Sequence, residues 1–128
     1  LMLALATRLV EKDRLTRLGP DAWRRRNEMR GRSLTGRVLG LVGCGNIGSD
    51  LAALVKPLGM RVIAFDPALS DAAARSLGIE PASLDQVITC SDYISIHCPL
   101  TPDTRHLFNT ESIPRMKPGA ALINTARG

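Results

Sequence analysis

The sequence predicts an α/β fold, a doubly wound parallel sheet of about five strands preceded by a Leu-rich N-terminal helix. Three observations predict it. The chain has 128 residues, one domain's worth, with aromatics at only 3% against 45% hydrophobic residues overall, so aliphatics carry the core and an all-β sandwich is disfavoured. From Arg37 onward, short apolar runs that read as buried strands alternate with helical stretches, the pattern of parallel strands joined by right-handed crossovers. A glycine-rich turn also follows the first of those strands directly.

The elements follow in order. Residues 1–17 read as one helix, with Met2, Leu5, Leu9 and Leu15 on an apolar side. Gly19-Pro20 ends it, and 21–32 is a polar, basic stretch unsuited to a core. Boundaries are therefore set at 1–36 for the helix and basic linker and at 37–128 for a second unit. Within it, 38–42 is a strand and 43–48 a turn. Residues 47–58 form a helix with Leu51, Leu54, Val55 and Leu58 inward, and 61–65 is the second strand. Ser70 caps a helix that runs to Leu77 and stops at Gly78. Ile79 begins a brief strand, and Ser83-Leu84-Asp85-Gln86 has the form of a capping box. Residues 93–97 form a strand, 99–102 a Pro-rigid loop, 110–116 a short helix and 120–124 a last strand.

The formal charge of +5 sits at one end: residues 1–37 hold ten Lys and Arg against four Asp and Glu. Arg24-Arg25-Arg26, Arg30 and Arg32 are accompanied only by Trp23 as a base-stacking side chain, so a solvated linker is expected and a nucleic-acid partner is not. No apolar run approaches the ~18 residues of a membrane span. Ala4-Leu5-Ala6 has neither the basic stretch nor the apolar length of a secretory leader, so a cytoplasmic location is expected. Cys44, Cys90 and Cys98 are odd in number and lack metal-ligand spacing. Reduced thiols and no metal are therefore expected. His97 and His106 read as structural.

Gly43-Cys44-Gly45-Asn46-Ile47-Gly48 is a Gly-x-Gly-x-x-Gly between a buried strand and a helix, the setting of a Rossmann-type dinucleotide site. Gly43 permits the tight turn, Gly45 leaves room for a pyrophosphate, and Gly48 lets the helix approach the sheet. The amides near Asn46 and Ile47, at the positive end of the helix dipole, favour a diphosphate. Asp66 stands 18 positions after Gly48, at the end of the second strand, where a carboxylate accepts hydrogen bonds from the adenosine ribose. It would repel the extra phosphate of NADP, and Pro67-Ala68-Leu69 offers no arginine to hold one, so NAD is the expected cofactor.

These residues resemble the D-isomer-specific 2-hydroxyacid dehydrogenases, a family that includes phosphoglycerate dehydrogenases. The match runs through 42–48, Pro57-Leu58-Gly59-Met60, Phe65-Asp66-Pro67 and Ser91-Asp92-Tyr93. It continues through His97-Cys98-Pro99-Leu100-Thr101 with Thr104, Met116-Lys117-Pro118-Gly119 and Ile123-Asn124-Thr125-Ala126-Arg127-Gly128. The resemblance implies backbone contacts from Asn46 and Ile47 to the pyrophosphate and an adenine wall at Cys98 and Pro99. It places Thr125, Ala126 and Arg127 toward the nicotinamide, with Arg127 as the catalytic arginine that grips a substrate carboxylate bidentately. It further implies hydride transfer between NAD(H) and a 2-hydroxy or 2-oxo acid, and a homodimer partly built on the Leu-rich helix. The acid/base His and its Glu partner are expected beyond Arg127, so turnover by these residues alone is not expected. The alternative the family also offers is an NAD(H)-sensing corepressor-type protein on the same fold.

Overall fold

The computed structural model describes residues 1–126. They form two compact units, Leu1–Leu34 and a second beginning at Thr35.

The first unit is helical, but not as one rod. Helix α1 spans Met2–Thr7 and α2 Leu9–Arg17. Between them Arg8 takes the left-handed conformation, φ 54°, which breaks the hydrogen-bond ladder, and its amide bonds back to Leu5. The break rotates the two pieces relative to each other and dissolves the single apolar stripe expected from the sequence. Ala6 and Leu15 are buried, whereas Leu5 and Leu9 are half exposed. Helix α3 (Pro20–Trp23) and a 3-10 turn over Arg24–Met29 follow, with no buried residue. Arg26 stacks its guanidinium over the Trp23 ring, 5.4 Å from the centroid. Hydrogen bonding from the Arg32 amide to the Ala6 carbonyl, 2.8 Å, brings the basic stretch back onto α1.

The second unit is a five-stranded sheet, β1 (Val38–Val42), β2 (Arg61–Phe65), β3 (Glu80–Pro81), β4 (Tyr93–Ile96) and β5 (Ala121–Asn124). The strand order is β3-β2-β1-β4-β5 and every pairing is parallel. Helices α4 (Asn46–Val55), α5 (Asp71–Leu77) and α6 (Leu84–Cys90) connect them. Because the order reverses at β1, right-handed crossovers put α4 and α5 on one face and α6 on the other. Side-chain parity agrees. Gly40 on β1 lies so close to Val87 and Ser91 that a Cβ would stand 2.8 and 2.1 Å from their side-chain atoms, so the even positions of β1 face α6. Leu39 and Leu41 point to the opposite face and are fully buried. Each such side chain contributes roughly 1.5–3 kcal/mol relative to exposure.

The α6 side of the core joins Val38, Val42, Ile63, Val87 and Ile94, with Phe65, Leu84, Phe108 and Met116 against it. On α4 the inward positions are Gly48, Ala52 and Val55, while Leu54 and Leu58 are exposed and Leu51 half buried. The expected inward leucines are therefore corrected. Small residues at i, i+4 and i+7 allow the helix backbone to lie close to the sheet, and bulkier leucines are displaced to its flanks. A 3-10 turn over Lys56–Leu58 closes α4.

Both later helices start as their sequences require. The Ser70 hydroxyl accepts from the Ala73 amide, and Ser83 and Gln86 form a reciprocal capping box. The expected helix over 110–116 reduces to a 3-10 turn, Ile113–Arg115. The Asn109 side chain accepts from the Glu111 and Ser112 amides, and Pro114 donates nothing, so local side-chain bonds take the place of the helical ladder. Edge strand β3 tolerates Pro81 because its free side needs no donor. A bidentate Arg61–Glu80 pair, 2.8 Å on both arms, ties β3 to β2. Both side chains are exposed, so it adds little stability.

At the amino ends of the strands, Asp92 binds three elements. Its carboxylate accepts from the Val38 amide (2.9 Å), Arg37 (3.0 Å) and Lys117 (3.4 Å). Its backbone bonds to Val38 and Ala121 in addition. Burial pushes the Asp92 carboxyl up, but the Val38 amide and the Arg37 and Lys117 cations outweigh it, and the net displacement is downward. No described helix is long and apolar enough to cross a membrane. The sign of the Asp92 shift generates a prediction. Its stabilisation is fully present above the ordinary aspartate value of about 3.9 and is lost as pH falls through the lower folded value. Asp92→Asn should therefore cost stability at neutral pH and flatten the acid limb, below about pH 4. Urea unfolding at stepped pH checks this, and identical acid slopes for the two proteins would rule the role out.

Candidate functional site

The crevice outside the carboxyl ends of β1 and β4 is where the strand order reverses, the position at which open α/β sheets bind ligands. Its floor is the glycine turn. Gly43 has φ +91°, and a Cβ there would stand 2.7 Å from the Cys98 amide nitrogen and 2.9 Å from the His97 carbonyl carbon. The Gly43 amide donates to Phe65 O at 2.9 Å, and the His97 amide to Val42 O at 2.8 Å. Gly48 is just as confined: its Cβ would lie 2.6 Å from the Gly43 carbonyl oxygen. Gly45 is different. A Cβ there would meet nothing within 4 Å, so its bare backbone faces open space.

Gly45 is the N-cap of α4 and no side chain caps it. The first turn of the helix thus presents Asn46 and Ile47 at an end with positive dipole. Both residues are exposed, Ile47 at 69%. Ser49 closes the turn from inside, donating from its hydroxyl to Cys44 O at 3.2 Å.

Asp66 follows β2 and reaches this turn directly. Its Oδ2 accepts from the Cys44 amide at 2.6 Å, and its Oδ1 from the Ala68 amide at 2.8 Å. The structure therefore brings Asp66 and residues 43–48 into one site. An ionised carboxylate has about four lone-pair sites, so capacity remains after these two bonds.

The opposite wall begins at β4. Cys98 is half buried and Pro99 exposed, and the loop beyond is held rigid by Thr104. Its hydroxyl donates to Pro99 O at 2.6 Å and accepts from the Thr101 amide at 2.8 Å. Burial pushes the thiols of Cys44 and Cys98 up and the His97 imidazole down, so at neutral pH these walls carry neither thiolate nor imidazolium. A cavity of about 280 Å³ opens beside this wall, bounded by Cys98, Pro99, His106, Leu122 and Asn124 among others.

Thr125 and Ala126 leave the end of β5, paired alongside β4 through Ile96 and Asn124. The Ala126 amide bonds to Asn124 Oδ1 at 3.0 Å. Arg127 lies outside the described residues. Sequence reasoning missed Ser49, Ser95 and the position of the His97 ring. Only Ser49 carried a signal, since it follows the glycine motif directly. Among the described residues no cluster of His, Cys, Asp and Glu could hold a metal ion.

A parallel sheet of this order, a glycine turn opening a helix and an acid one strand away define a dinucleotide-binding domain. The family profile described as "D-isomer specific 2-hydroxyacid dehydrogenase, NAD binding domain" matches residues 1–128. The chain belongs to that family, as its NAD-binding domain.

The chain is 46% identical over 100 residues to a hydroxypyruvate reductase of Thermotoga maritima, covering 78% of this chain and 32% of that protein. It is 40% identical over 128 residues to the chloroplastic D-3-phosphoglycerate dehydrogenase 2 of Arabidopsis thaliana, covering 100% of this chain and 20% of that one. Among solved structures, the apo form of D-lactate dehydrogenase from Escherichia coli superposes with a TM-score of 0.88 at 37% identity, over 99% of this chain and 39% of that one. The chain thus spans well under half the length of these relatives.

Gly43 and Gly45 should respond differently to substitution in the ligand-free protein. Gly43→Ala combines positive φ with contact against fixed backbone and should cost about 3 kcal/mol. Gly45→Ala should change stability by less than about 0.5 kcal/mol. Chemical denaturation measures both, and equal losses would contradict this description of the turn.

Proposed function

We propose that this chain is the cofactor-binding part of an oxidoreductase that moves a hydride between NAD(H) and a 2-hydroxy or 2-oxo acid. The observation that carries the reading is the Asp66 carboxylate on the Cys44 amide beside an uncapped helix N-terminus. One element suits a diphosphate and its neighbour suits a vicinal diol, in the order in which a dinucleotide presents them.

In this reading Gly43, Gly45 and Gly48 shape the turn, and the Asn46 and Ile47 amides bind the pyrophosphate. The open space at Gly45 and the exposed Ile47 side chain both fit a ligand lying across the turn. Asp66 receives the ribose hydroxyls on its remaining lone pairs and disfavours the phosphate of NADP. Cys98 and Pro99 form the adenine wall, and Thr125 and Ala126 lie toward the nicotinamide. Arg127 holds the substrate carboxylate beside the carbonyl that is reduced. The bound nicotinamide supplies the hydride. The acid/base His and its Glu partner would come from outside these 128 residues, and so would most of the substrate-recognising surface.

The protein would work in the cytosol, where the free thiols of Cys44, Cys90 and Cys98 stay reduced. It would work as a homodimer that covers Leu3, Leu5, Leu9 and Val10, each at least half exposed here. Light scattering tests the last point: a dimer is expected, and a monomer at high concentration would refute it.

The cofactor reading has its own test in NADH fluorescence titration. NADH should bind more tightly than NADPH. Asp66→Ala should weaken NADH by about tenfold, as loss of a charge-assisted hydrogen bond does, and narrow the gap to NADPH. Unchanged affinity for both would remove Asp66 from the ribose site. Failure of the unsubstituted protein to bind NADH would end the reading altogether.

A further inference from the structure

The side chain of His97 lies where the glycine turn and the sheet meet. Strand parity puts Tyr93, Ser95 and His97 on the α4 face, with Ile94 and Ile96 on the other. There the His97 Nε2 and the hydroxyl of the buried Ser95 are hydrogen-bonded at 2.9 Å. The ring's Cδ2 lies 3.9 Å from the position a Cβ on Gly48 would occupy. The backbone of the same residue meets the other end of the motif, since the His97 carbonyl carbon and Cys98 nitrogen abut Gly43. His97, the residue that follows β4, therefore borders both the first and the third glycine of the turn. Ser95, itself anchored in a strand, fixes the ring's rotation.

We propose that His97 is a positioning residue for dinucleotide binding: its imidazole, linked to Ser95, is the spacer that sets the height of the first turn of α4 above β4. The inference rests on the functional reading above and extends it to a residue whose imidazole is bonded to Ser95 beside the glycine turn. Helix N-terminal amides grip a diphosphate only when held near their productive geometry, and support from a locked neighbouring side chain supplies that. An aliphatic side chain at 97 would fill the space but could not bond to Ser95, so the turn would lose its fixed stop. A glutamine can place a polar atom near the Nε2 position and keep the link.

NADH titration of the unsubstituted protein, His97→Leu, His97→Gln and Ser95→Ala, with a melting curve for each, tests this. His97→Leu should raise the NADH Kd about tenfold, and His97→Gln should restore it to within about threefold. Ser95→Ala, which keeps the ring but frees it, should weaken binding by an intermediate factor. If His97→Leu does not fold, Ser95→Ala and His97→Gln decide. A Kd unchanged in Ser95→Ala, or in His97→Leu with only its melting point lowered, overturns the positioning role while the functional reading stands. Equal losses for Leu and Gln also overturn it, because the bond to Ser95 would then be irrelevant. No NADH binding by the unsubstituted protein would overturn the functional reading and this inference with it.

Discussion

The structure depends on one close approach of backbone to backbone, where Gly43 at the end of β1 meets His97 and Cys98 at the end of β4. No side chain fits between them. That contact decides how β1 turns out of the sheet, and thereby where α4 begins and which way its first amides point. Gly48 repeats the constraint one helical turn later against the Gly43 carbonyl. The small inward residues of α4, Ala52 and Val55, continue it along the helix.

The two ends of the sheet divide the labour. At the amino ends, Asp92 gathers the starts of β1, β4 and β5 with charged and backbone partners, a stabilising arrangement away from the crevice. At the carboxyl ends, carboxylate and amide groups keep hydrogen-bonding capacity in reserve. Asp66 uses one lone pair on each oxygen to fix its own orientation and keeps the others. The α4 amides are left without a side-chain cap, at a local cost in helix stability. The Asp66–Cys44 bond ties the two features together.

Relatives named for hydroxypyruvate, phosphoglycerate and lactate share this domain at 37–46% identity. One scaffold thus serves relatives of different names, in keeping with functional sites being grafted onto a common fold.

The strands β1 and β2, the caps at Ser70 and Ser83, the stop at Gly78, the glycine turn and the acid at 66 were all legible in the sequence. Each depends on short-range chemistry: an apolar run, a hydroxyl three residues from an amide, a residue without a Cβ. Three features were not legible. The left-handed Arg8 splits a stretch whose periodicity alone reads as continuous helix. The inward face of α4 is set by its distance from the sheet, which favours Ala52 over Leu54 against their hydrophobicity. The direct bond from the Cys44 amide to Asp66, and the placing of the His97 ring on Ser95 beside Gly48, join residues on different elements. Sequence by itself determined the elements and their chemistry, because those are local. Which side chains share one crevice was decided only by tertiary structure, because parity, strand order and helix height are properties of the packed sheet.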